Sequence, residues 1–324
     1  MSNESDWVLA IRLRQLGDVL AALAPLRALK AHRAERRIAY VVEAPYAELL
    51  RGLDFIDALP SPPRGGAGAW GEYVRSLRRL HPSAALDFHG SARSALIARV
   101  SGARTRVGFD VRGRKLAYTI VEPRGEFRDG VRVPHTPIEW GMRLARHVGA
   151  APADALLPRL PVADGARERA RSALAAVGIA PHEIDAGAVV GLNPGRPAPV
   201  KSWAPNRFSE LARRIAESGR RVLVMWGPGE EETARAIVRD AGSAAVLAPP
   251  TALADMPGLV AACSALVTID SGLKHLAVCV RVPTVTLFGA TDPREWHMGG
   301  AADSFLRRCR SWKIGLSSTA RRMT

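Results

Sequence analysis

Short apolar runs alternate along the chain with segments in which apolar residues recur at helical spacing. The clearest helical segment is 18–31, where Leu20, Leu23, Leu26 and Leu29 repeat every third residue. In this half the pattern predicts strands at 7–13, 38–42, 84–88 and 106–109, and helices at 18–31, 46–50, 73–80, 91–100 and 135–148. Because strand and helix signals alternate, it also predicts a parallel sheet covered by helices on both faces.

Residues 149–165 interrupt this pattern, since they are rich in alanine and proline and have no periodicity, as is typical of an interdomain linker. The second half predicts strands at 188–192, 221–225, 244–247, 265–269 and 283–288, and helices at 167–177, 207–218, 230–241, 256–263 and 273–280. The predicted fold class is α/β, with two doubly wound, Rossmann-like domains at 1–160 and 161–310. Residues 311–324 lack an apolar pattern and predict an irregular tail.

Composition places the chain among ordinary globular proteins, with 47% hydrophobic and 24% charged residues in a length of 324. No window approaches 18 uninterrupted apolar residues, and the polar N-terminus has no signal-peptide pattern. The cysteines Cys263, Cys279 and Cys309 lack metal-ligand spacing. We therefore expect a cytoplasmic protein without a bound metal or cofactor.

The net charge of +15 changes this picture, because it favours an acidic partner. The densest basic stretch is 93–115, where Asp110 is the only acidic residue. A phosphorylated substrate, an anionic membrane surface or a nucleic acid would each fit such a charge. Biased codon usage is the alternative explanation for an arginine-rich composition.

The segment 265–293 is the most informative part of the chain. A buried strand is followed by the tight turn Asp270-Ser271-Gly272 and then by a helix, so a helix N-terminus lies at the carboxyl end of a parallel strand. Free backbone N–H groups and the positive end of the helix dipole make such a place an anion site, typically for phosphate. His275 lies in the first helical turn, within reach of the same ligand. The alternative is a capped helix with a buried histidine.

Other polar loops also follow predicted strands. Gly17 and Asp18 follow the first strand, where the carboxylate could act chemically or simply cap its own helix. Asn193, Gly195 and Arg196 follow the strand at 188–192 and form a small-residue nest suited to phosphate.

The stretch 226–232, W-G-P-G-E-E-E, follows the strand at 221–225. Its glycines would bring the backbone near a nucleoside, and an acidic residue would take the ribose hydroxyls. Glu230 and Glu231 are both candidates, although three consecutive glutamates also make a plain acidic helical turn.

Motifs in these segments resemble those of glycosyltransferase family 9, which comprises the ADP-heptose:lipopolysaccharide heptosyltransferases. The motifs are D-S-G-x-x-H-L (270–276), F-G-x-T-D-P (288–293), I-R-L-R-Q-L-G-D-V-L (11–20), N-P-G…V-K-S-W-A-P-N-R-F (193–208) and W-G-P-G-E-E-E (226–232). They occur in the expected order, so the resemblance covers about residues 7–300.

This resemblance implies the GT-B architecture, in which two Rossmann-like domains face a central cleft that holds the active site. It implies Asp18 as the general base of an inverting, metal-independent heptose transfer from ADP-heptose to the Kdo/inner-core region of lipopolysaccharide. The implied donor-binding residues are Gly195, Arg196, Lys201, Glu230, Glu231, Asp270, Ser271, Gly272, Leu273, Lys274 and His275. The family usually ends with a helix that returns to the first domain, which the pattern of 311–324 does not predict.

The segment 87–94 resembles a family segment that lies beside the acceptor. Arg93, with Arg64 or Arg114, would bind carboxylates or phosphates of an anionic, lipid-linked Kdo/lipid A acceptor. Peripheral contact with the cytoplasmic face of the inner membrane would suit such an acceptor.

Alternative functions differ in how well the sequence supports them. Addition of the second heptose, or use of another nucleotide sugar, stays open, although the segment 87–94 favours the enzyme that adds the first heptose. A nucleic-acid-binding protein is disfavoured by an aromatic content of only 6% and by the lack of a known module. A nicotinamide dehydrogenase is disfavoured because R-L-R-Q-L-G-D, not G-x-G-x-x-G, follows the first strand.

Overall fold

The computed structural model describes residues 6–151, 157–196, 203–298, 300 and 302–307. Lys201 and the predicted tail 311–324 lie outside the described residues. The chain divides into two compact units, Met1–Pro158 and Arg159–Thr324.

The first unit is built on a parallel sheet of five strands. Its strands are β1 (Trp7–Ile11), β2 (Arg37–Val41), β3 (Ala84–Asp87), β4 (Thr105–Phe109) and β5 (Ile120–Glu122), followed by a hairpin of β6 (Glu126–Arg128) and β7 (Val131–Val133). Its helices are α1 (Leu16–Ala21), α2 (Leu23–His32), α3 (Ala44–Leu50), α4 (Ala67–Arg79), α5 (Ala92–Val100) and α6 (Pro137–Arg146), with a 3₁₀ turn at Lys115–Ala117. The strand order is β2-β1-β3-β4-β5, so the order reverses between β1 and β3.

The second unit carries a parallel sheet of six strands. Its strands are β8 (Val189–Asn193), β9 (Arg221–Val224), β10 (Ala245–Leu247), β11 (Ala265–Ile269), β12 (Thr284–Phe288) and β13 (Ser304–Arg307). Its helices are α7 (Asp164–Ala176), α8 (Pro181–Asp185), α9 (Pro205–Glu217), α10 (Glu231–Ala241), α11 (Met256–Ala261), α12 (Gly272–Cys279) and α13 (Pro293–Trp296), with a 3₁₀ turn at Gly242–Ala244. The order β10-β9-β8-β11-β12-β13 reverses between β8 and β11, as in dinucleotide-binding Rossmann sheets.

The central strands are buried on both faces, which explains why they read as continuous apolar runs in the sequence. In the second unit, Val222, Val224 and Leu192 form a core with Phe208 of α9 and Ile237 of α10. The prediction of an α/β fold with two doubly wound halves is confirmed. Among the described residues, no helix is long and apolar enough to cross a bilayer.

One predicted helix is wrong in its continuity. The segment 18–31 forms two helices, α1 and α2, that meet at Ala22. Pro25 has no N–H group to bond the carbonyl of Ala21, so the helical hydrogen-bond ladder is interrupted there.

Candidate active site

Asn193 ends β8 and ties together the ends of three strands. It is 2% exposed, and its Oδ1 accepts hydrogen bonds from Oγ of Ser271 at 3.1 Å and from Oγ1 of Thr268 at 3.2 Å. Its amide nitrogen donates to the carbonyl of Met225, which follows β9, at 3.5 Å. The loops after β8, β9 and β11 therefore meet at the switch point of the second sheet, where ligands bind in open α/β sheets.

Gly195 continues the β8 loop in a conformation that only glycine adopts easily, with a φ of 64°. A Cβ at this position would lie 2.7 Å from Cγ1 of Ile269, so the backbone runs directly against the end of β11. Nη2 of the next residue, Arg196, donates to the carbonyl of Pro228 at 3.2 Å. Arg196 thus links the β8 loop to the W-G-P-G loop.

The N-terminus of α12 opens at the same switch point. Ser271 is the N-cap residue, but its side chain accepts no hydrogen bond from the first turn and donates to Asn193 instead. The first-turn N–H groups, which begin at Gly272, therefore have no side-chain cap. An α-helix leaves such groups without intrahelical partners, so this terminus can hold an anion.

Lys274 and Asp270 form a buried ion pair beneath this terminus. Nζ of Lys274 donates to Oδ1 of Asp270 at 2.6 Å and to the carbonyl of Trp296 at 2.7 Å. It also lies 5.0 Å from the centre of the Phe288 ring. Burial lowers the pKa of Lys274, while the charge of Asp270 opposes that change. The side chain of Lys274 therefore fixes Asp270 to the segment after β12, so any direct contact with a donor would come from the backbone N–H.

His275 lies in the interior of the unit, where it is 4% exposed. Burial, with smaller contributions from the charges of Lys274 and His297, lowers its pKa well below the usual value, so the ring is neutral. Its Nδ1 makes no hydrogen bond to the described residues. This placement agrees with the alternative of a buried histidine, and contact with the donor stays a prediction.

The two candidate ribose ligands differ in their surroundings. Oε2 of Glu230 accepts a hydrogen bond from the N–H of Gly227 at 2.9 Å, so this carboxylate lies against the glycine loop. Glu231 instead pairs with Arg235 on the exposed face of α10, at 2.6 Å. Only Glu230 is positioned by the loop itself.

Asp18 lies in α1 of the first unit, next to the carboxyl end of β1. Nη2 of Arg12 contacts Oδ2 of Asp18 and donates to Oε1 of Gln15 at 2.9 Å, and Nη1 donates to the carbonyl of Phe88 at 2.8 Å. Arg12 thereby joins Asp18 to the segment after β3 at the β1/β3 switch point. Gln15 adopts a φ of 74°, which is uncommon for a residue other than glycine.

Asp87 ends β3 and organises the predicted acceptor segment. It is fully buried, and its Oδ1 accepts hydrogen bonds from the N–H groups of His89 and Gly90, each at 2.9 Å. Its Oδ2 accepts from the hydroxyl of Tyr118 at 2.7 Å. Burial raises the pKa of this carboxyl, although these hydrogen bonds oppose the rise. Asp87 is therefore a structural anchor for the turn.

The predicted acceptor arginines lie on three different loops or helices. Nη2 of Arg93 donates to the carbonyl of Pro63 at 3.1 Å, which ties α5 to the loop that carries the exposed Arg64. Arg93 also stacks 5.3 Å from the Trp70 ring. Arg114 lies just before the 3₁₀ turn. Its charge opposes the rise in the pKa of Tyr118 that burial causes.

Sequence reasoning assigned no role to three groups that support the candidate site, namely Arg12, Asp87 and the side chain of Lys274. Arg12 had a local signal, because it is the first charged residue after a buried strand and lies six residues before Asp18. Asp292 caps α13 by accepting a hydrogen bond from the N–H of Arg294. In the part of the chain that the structure describes, no group of three His, Cys, Asp or Glu side chains could hold a metal ion.

Comparisons with known proteins agree with these motifs. Lipopolysaccharide heptosyltransferase 1 of Pseudomonas aeruginosa is 30% identical over 237 residues, which is 70% of this chain and 59% of that relative. Lipopolysaccharide heptosyltransferase 2 of Salmonella typhimurium is 27% identical over 311 residues, or 88% of this chain and 83% of the relative.

The solved structure of the Escherichia coli ADP-heptose lipopolysaccharide heptosyltransferase II has a TM-score of 0.79 at 22% identity. It covers 94% of this chain and 91% of its own. This likeness confirms the predicted GT-B class of fold. The model of glycosyltransferase family 9 (heptosyltransferase) matches residues 70–313, well over half of the chain. The chain therefore belongs to glycosyltransferase family 9, the heptosyltransferase family, as its motifs predicted.

Proposed function

We propose that this protein transfers a heptose from ADP-heptose to the Kdo/inner-core region of lipopolysaccharide, with inversion at the anomeric carbon. The observation that carries the proposal is the meeting of three loops at Asn193, beside the uncapped N-terminus of α12. Such a terminus suits the diphosphate of a nucleotide sugar. ADP-heptose is the donor in the name of the solved Escherichia coli relative.

In this proposal the diphosphate binds the first-turn N–H groups of Gly272, Leu273 and Lys274 and the nest at Gly195. These donors stabilise the charge that develops on the leaving diphosphate, which is where electrostatic stabilisation is most effective. Glu230 takes the ribose hydroxyls, because its carboxylate already lies at the glycine loop. Lys201 adds a cation from the same segment of sequence as Gly195 and Arg196.

Asp18 acts as the general base. It takes the proton of an acceptor hydroxyl while the hydroxyl oxygen bonds to the anomeric carbon, and the bond from that carbon to the diphosphate breaks. ADP leaves as an anion, so no second carboxylate is required as an acid. The contact from Arg12 holds the carboxylate of Asp18 in one orientation, which a positioned base requires.

The acceptor is an anionic, lipid-linked sugar in this account. Arg93 at the start of α5, Arg64 in the loop that Arg93 contacts, and Arg114 before the 3₁₀ turn supply the cations, because arginine recognises carboxylates and phosphates well. Named relatives include both heptosyltransferases 1 and 2, so we assign heptose transfer without assigning its order. Work at the cytoplasmic face of the inner membrane belongs to the same proposal.

Replacement of Asp18 by asparagine tests this mechanism. Asparagine keeps the shape of the side chain but cannot accept the proton, so we expect kcat to fall by about 10²–10⁴-fold. The affinity for ADP should stay unchanged, because Asp18 lies in the first unit and the nucleotide site in the second. Transfer from ADP-heptose to Kdo-lipid A would be followed by mass spectrometry of the lipid product.

Asp185→Asn is the matched control, because Asp185 is an exposed aspartate that pairs with Arg171 and takes no part in either site. It should transfer at the wild-type rate. A kcat for Asp18→Asn within a few-fold of wild type would contradict the assignment of Asp18 as the base. A wild-type protein that binds ADP but modifies no Kdo-lipid would contradict the proposed acceptor.

A further inference from the structure

Exposed large hydrophobic side chains are concentrated in one part of the first unit. Of the residues that the structure describes, those with strongly exposed large apolar side chains lie between 96 and 131: Leu96 (55% exposed), Leu116 (85%), Val121 (38%), Phe127 (66%) and Val131 (69%). Exposed apolar side chains are ordinary when they are scattered, but a concentration of them marks an interaction surface.

These five residues lie in the edge strand of the first sheet and in the elements next to it. Val121 lies in β5, which ends the strand order, and Leu116 lies in the 3₁₀ turn that leads into it. Leu96 lies in α5, which packs against that turn, and Phe127 and Val131 lie in the hairpin that follows β5. We call this surface, formed by the five residues, the β5 edge.

The hairpin exposes apolar side chains on both of its faces. Phe127 pairs with Arg132, and the next pair, Arg128 with Val131, projects from the opposite face. The turn consists of Asp129 and Gly130 with positive φ values of 52° and 75°, which is the tight two-residue turn that hairpins prefer. A hairpin that packed on its own protein would cover one of these faces, whereas here the region of the turn is exposed on both.

Charge at the β5 edge is strongly positive toward solvent. Residues 93–132 contain ten Lys or Arg and four Asp or Glu. Two of the four acids are held by α6 and its neighbours: Glu122 contacts Arg143 at 2.8 Å, and Glu126 contacts the same guanidinium at 3.0 Å. The exposed side chains of this stretch include Arg99, Arg112, Lys115, Arg124 and Arg132.

We propose that the β5 edge docks the protein onto an anionic bilayer surface, with Leu116 and the hairpin turn entering the headgroup region. Apolar side chains flanked by Lys and Arg bind in this way, because burial of the former and attraction of the latter to acidic lipids add together. Docking itself does not depend on the proposed function, but the role that we give it does. That role is to bring Arg93 and Arg114, on the same chain segment, to a lipid-linked acceptor.

A second copy of the chain fits the β5 edge less well. Two such surfaces would face each other with like charges, which disfavours association. Continuation of the sheet across β5 would also rest on a strand of only three residues. Charge complementarity therefore favours the anionic lipid surface.

Flotation with lipid vesicles tests the proposal without donor or acceptor, so failure of heptose transfer would leave its result unaffected. Wild-type protein should float with vesicles of phosphatidylcholine and phosphatidylglycerol and not with phosphatidylcholine alone, and high salt should release it. Leu116→Ser/Phe127→Ser and Arg112→Gln/Arg124→Gln should each weaken binding on the order of tenfold. Circular dichroism would verify that both variants are folded.

Arg167→Gln/Arg239→Gln is the matched control, since it removes two exposed arginines from the second unit and lowers the net charge equally. It should bind vesicles like wild type. Equal losses in this control and in Arg112→Gln/Arg124→Gln would overturn the proposal, because binding would then depend on net charge alone. The proposal would also be overturned if the wild-type protein did not bind anionic vesicles but dimerised, and if Leu116→Ser/Phe127→Ser made it monomeric. The surface would then be an interface with a second copy.

Discussion

Neighbouring residues in the first turn of α12 have different environments, although both are buried. Lys274 points to Asp270 and Trp296, where it is paired. His275 lies in the interior, where its Nδ1 makes no hydrogen bond to the described residues. Burial lowers the pKa of both residues, but the charge of Asp270 opposes the change at Lys274, so the lysine stays paired with a carboxylate. His275 has no such partner and is therefore uncharged.

This difference predicts acid sensitivity that His275→Leu reduces. The folded protein keeps His275 unprotonated well below its usual pKa of 6.5, whereas the unfolded chain binds a proton there. The contribution of His275 to the free energy of unfolding is therefore fully present above pH 6.5 and is lost as the pH falls below it. We expect the Tm of wild type to drop between pH 7 and about pH 5, and the variant to lose less. Thermal unfolding at both pH values measures this.

Other titrating groups do not confuse the comparison. Burial lowers the pKa of His89, to about 4, and that of His297, and both shifts act in the same direction in the two proteins. The raised pKa of Asp87 acts in the opposite direction in both. Carboxyls whose pKa is lowered, such as Glu122, lose their contribution only below about pH 4.5. An equal drop in Tm for wild type and variant would contradict the role assigned to His275.

Sequence reasoning could name candidate site residues but not the contacts that hold them. Asp18, Gly195 and Asp270 follow predicted strands and could be named in advance. The contact of Arg12 with the carbonyl of Phe88 could not, because it joins positions 76 residues apart and exists only since β1 and β3 are neighbours.

The close packing of α11 against α7 in the second unit depends on a glycine. Gly258 lies in α11, where it packs against α7. A Cβ at this position would lie 2.6 Å from the carbonyl carbon of Ala166, which is backbone and cannot rotate away. The two helices can therefore approach this closely only with glycine at 258.

Gly258→Ala should destabilise the protein by about 1–3 kcal/mol or more, because the added methyl group pushes α11 away from α7. Gly68→Ala is the matched control in α4, where nothing lies within 4 Å of the new Cβ. That substitution should stabilise by about 0.5–1 kcal/mol, since alanine favours helix over glycine. Urea denaturation of the three proteins gives both values, and a Gly258→Ala variant as stable as wild type would refute the packing argument.

Elements with a clear apolar period were predictable, and short ones were not. The strands 84–88 and 265–269 match β3 and β11 to within one residue. By contrast, β5, β6 and β7 have three residues each, which is too short to show alternation, and they exist through pairing with a neighbour. The helix α4 begins at Ala67, six residues before the predicted start at 73, because glycines in 65–71 weaken the helical signal there.

In each of the two sheets of the molecule, the order of the strands decides which loops meet. Alternating strands and helices predicted two parallel sheets, but the pattern does not contain the orders β2-β1-β3-β4-β5 and β10-β9-β8-β11-β12-β13. Those orders place a reversal at β1/β3 and another at β8/β11. Asp18 lies at the first reversal and Asn193 at the second, so each unit has one place where loops that carry candidate residues meet.

Calorimetric titration of ADP is the most direct test of the proposed donor site at the β8/β11 reversal. Wild type and Gly68→Ala should bind ADP with a micromolar Kd and should not bind UDP or GDP. Gly195→Ala should lose this binding while staying folded, because its methyl group overlaps Ile269 and displaces the loop that faces the diphosphate. Folded wild type that does not bind ADP, or Gly195→Ala that binds it equally well, would contradict the account.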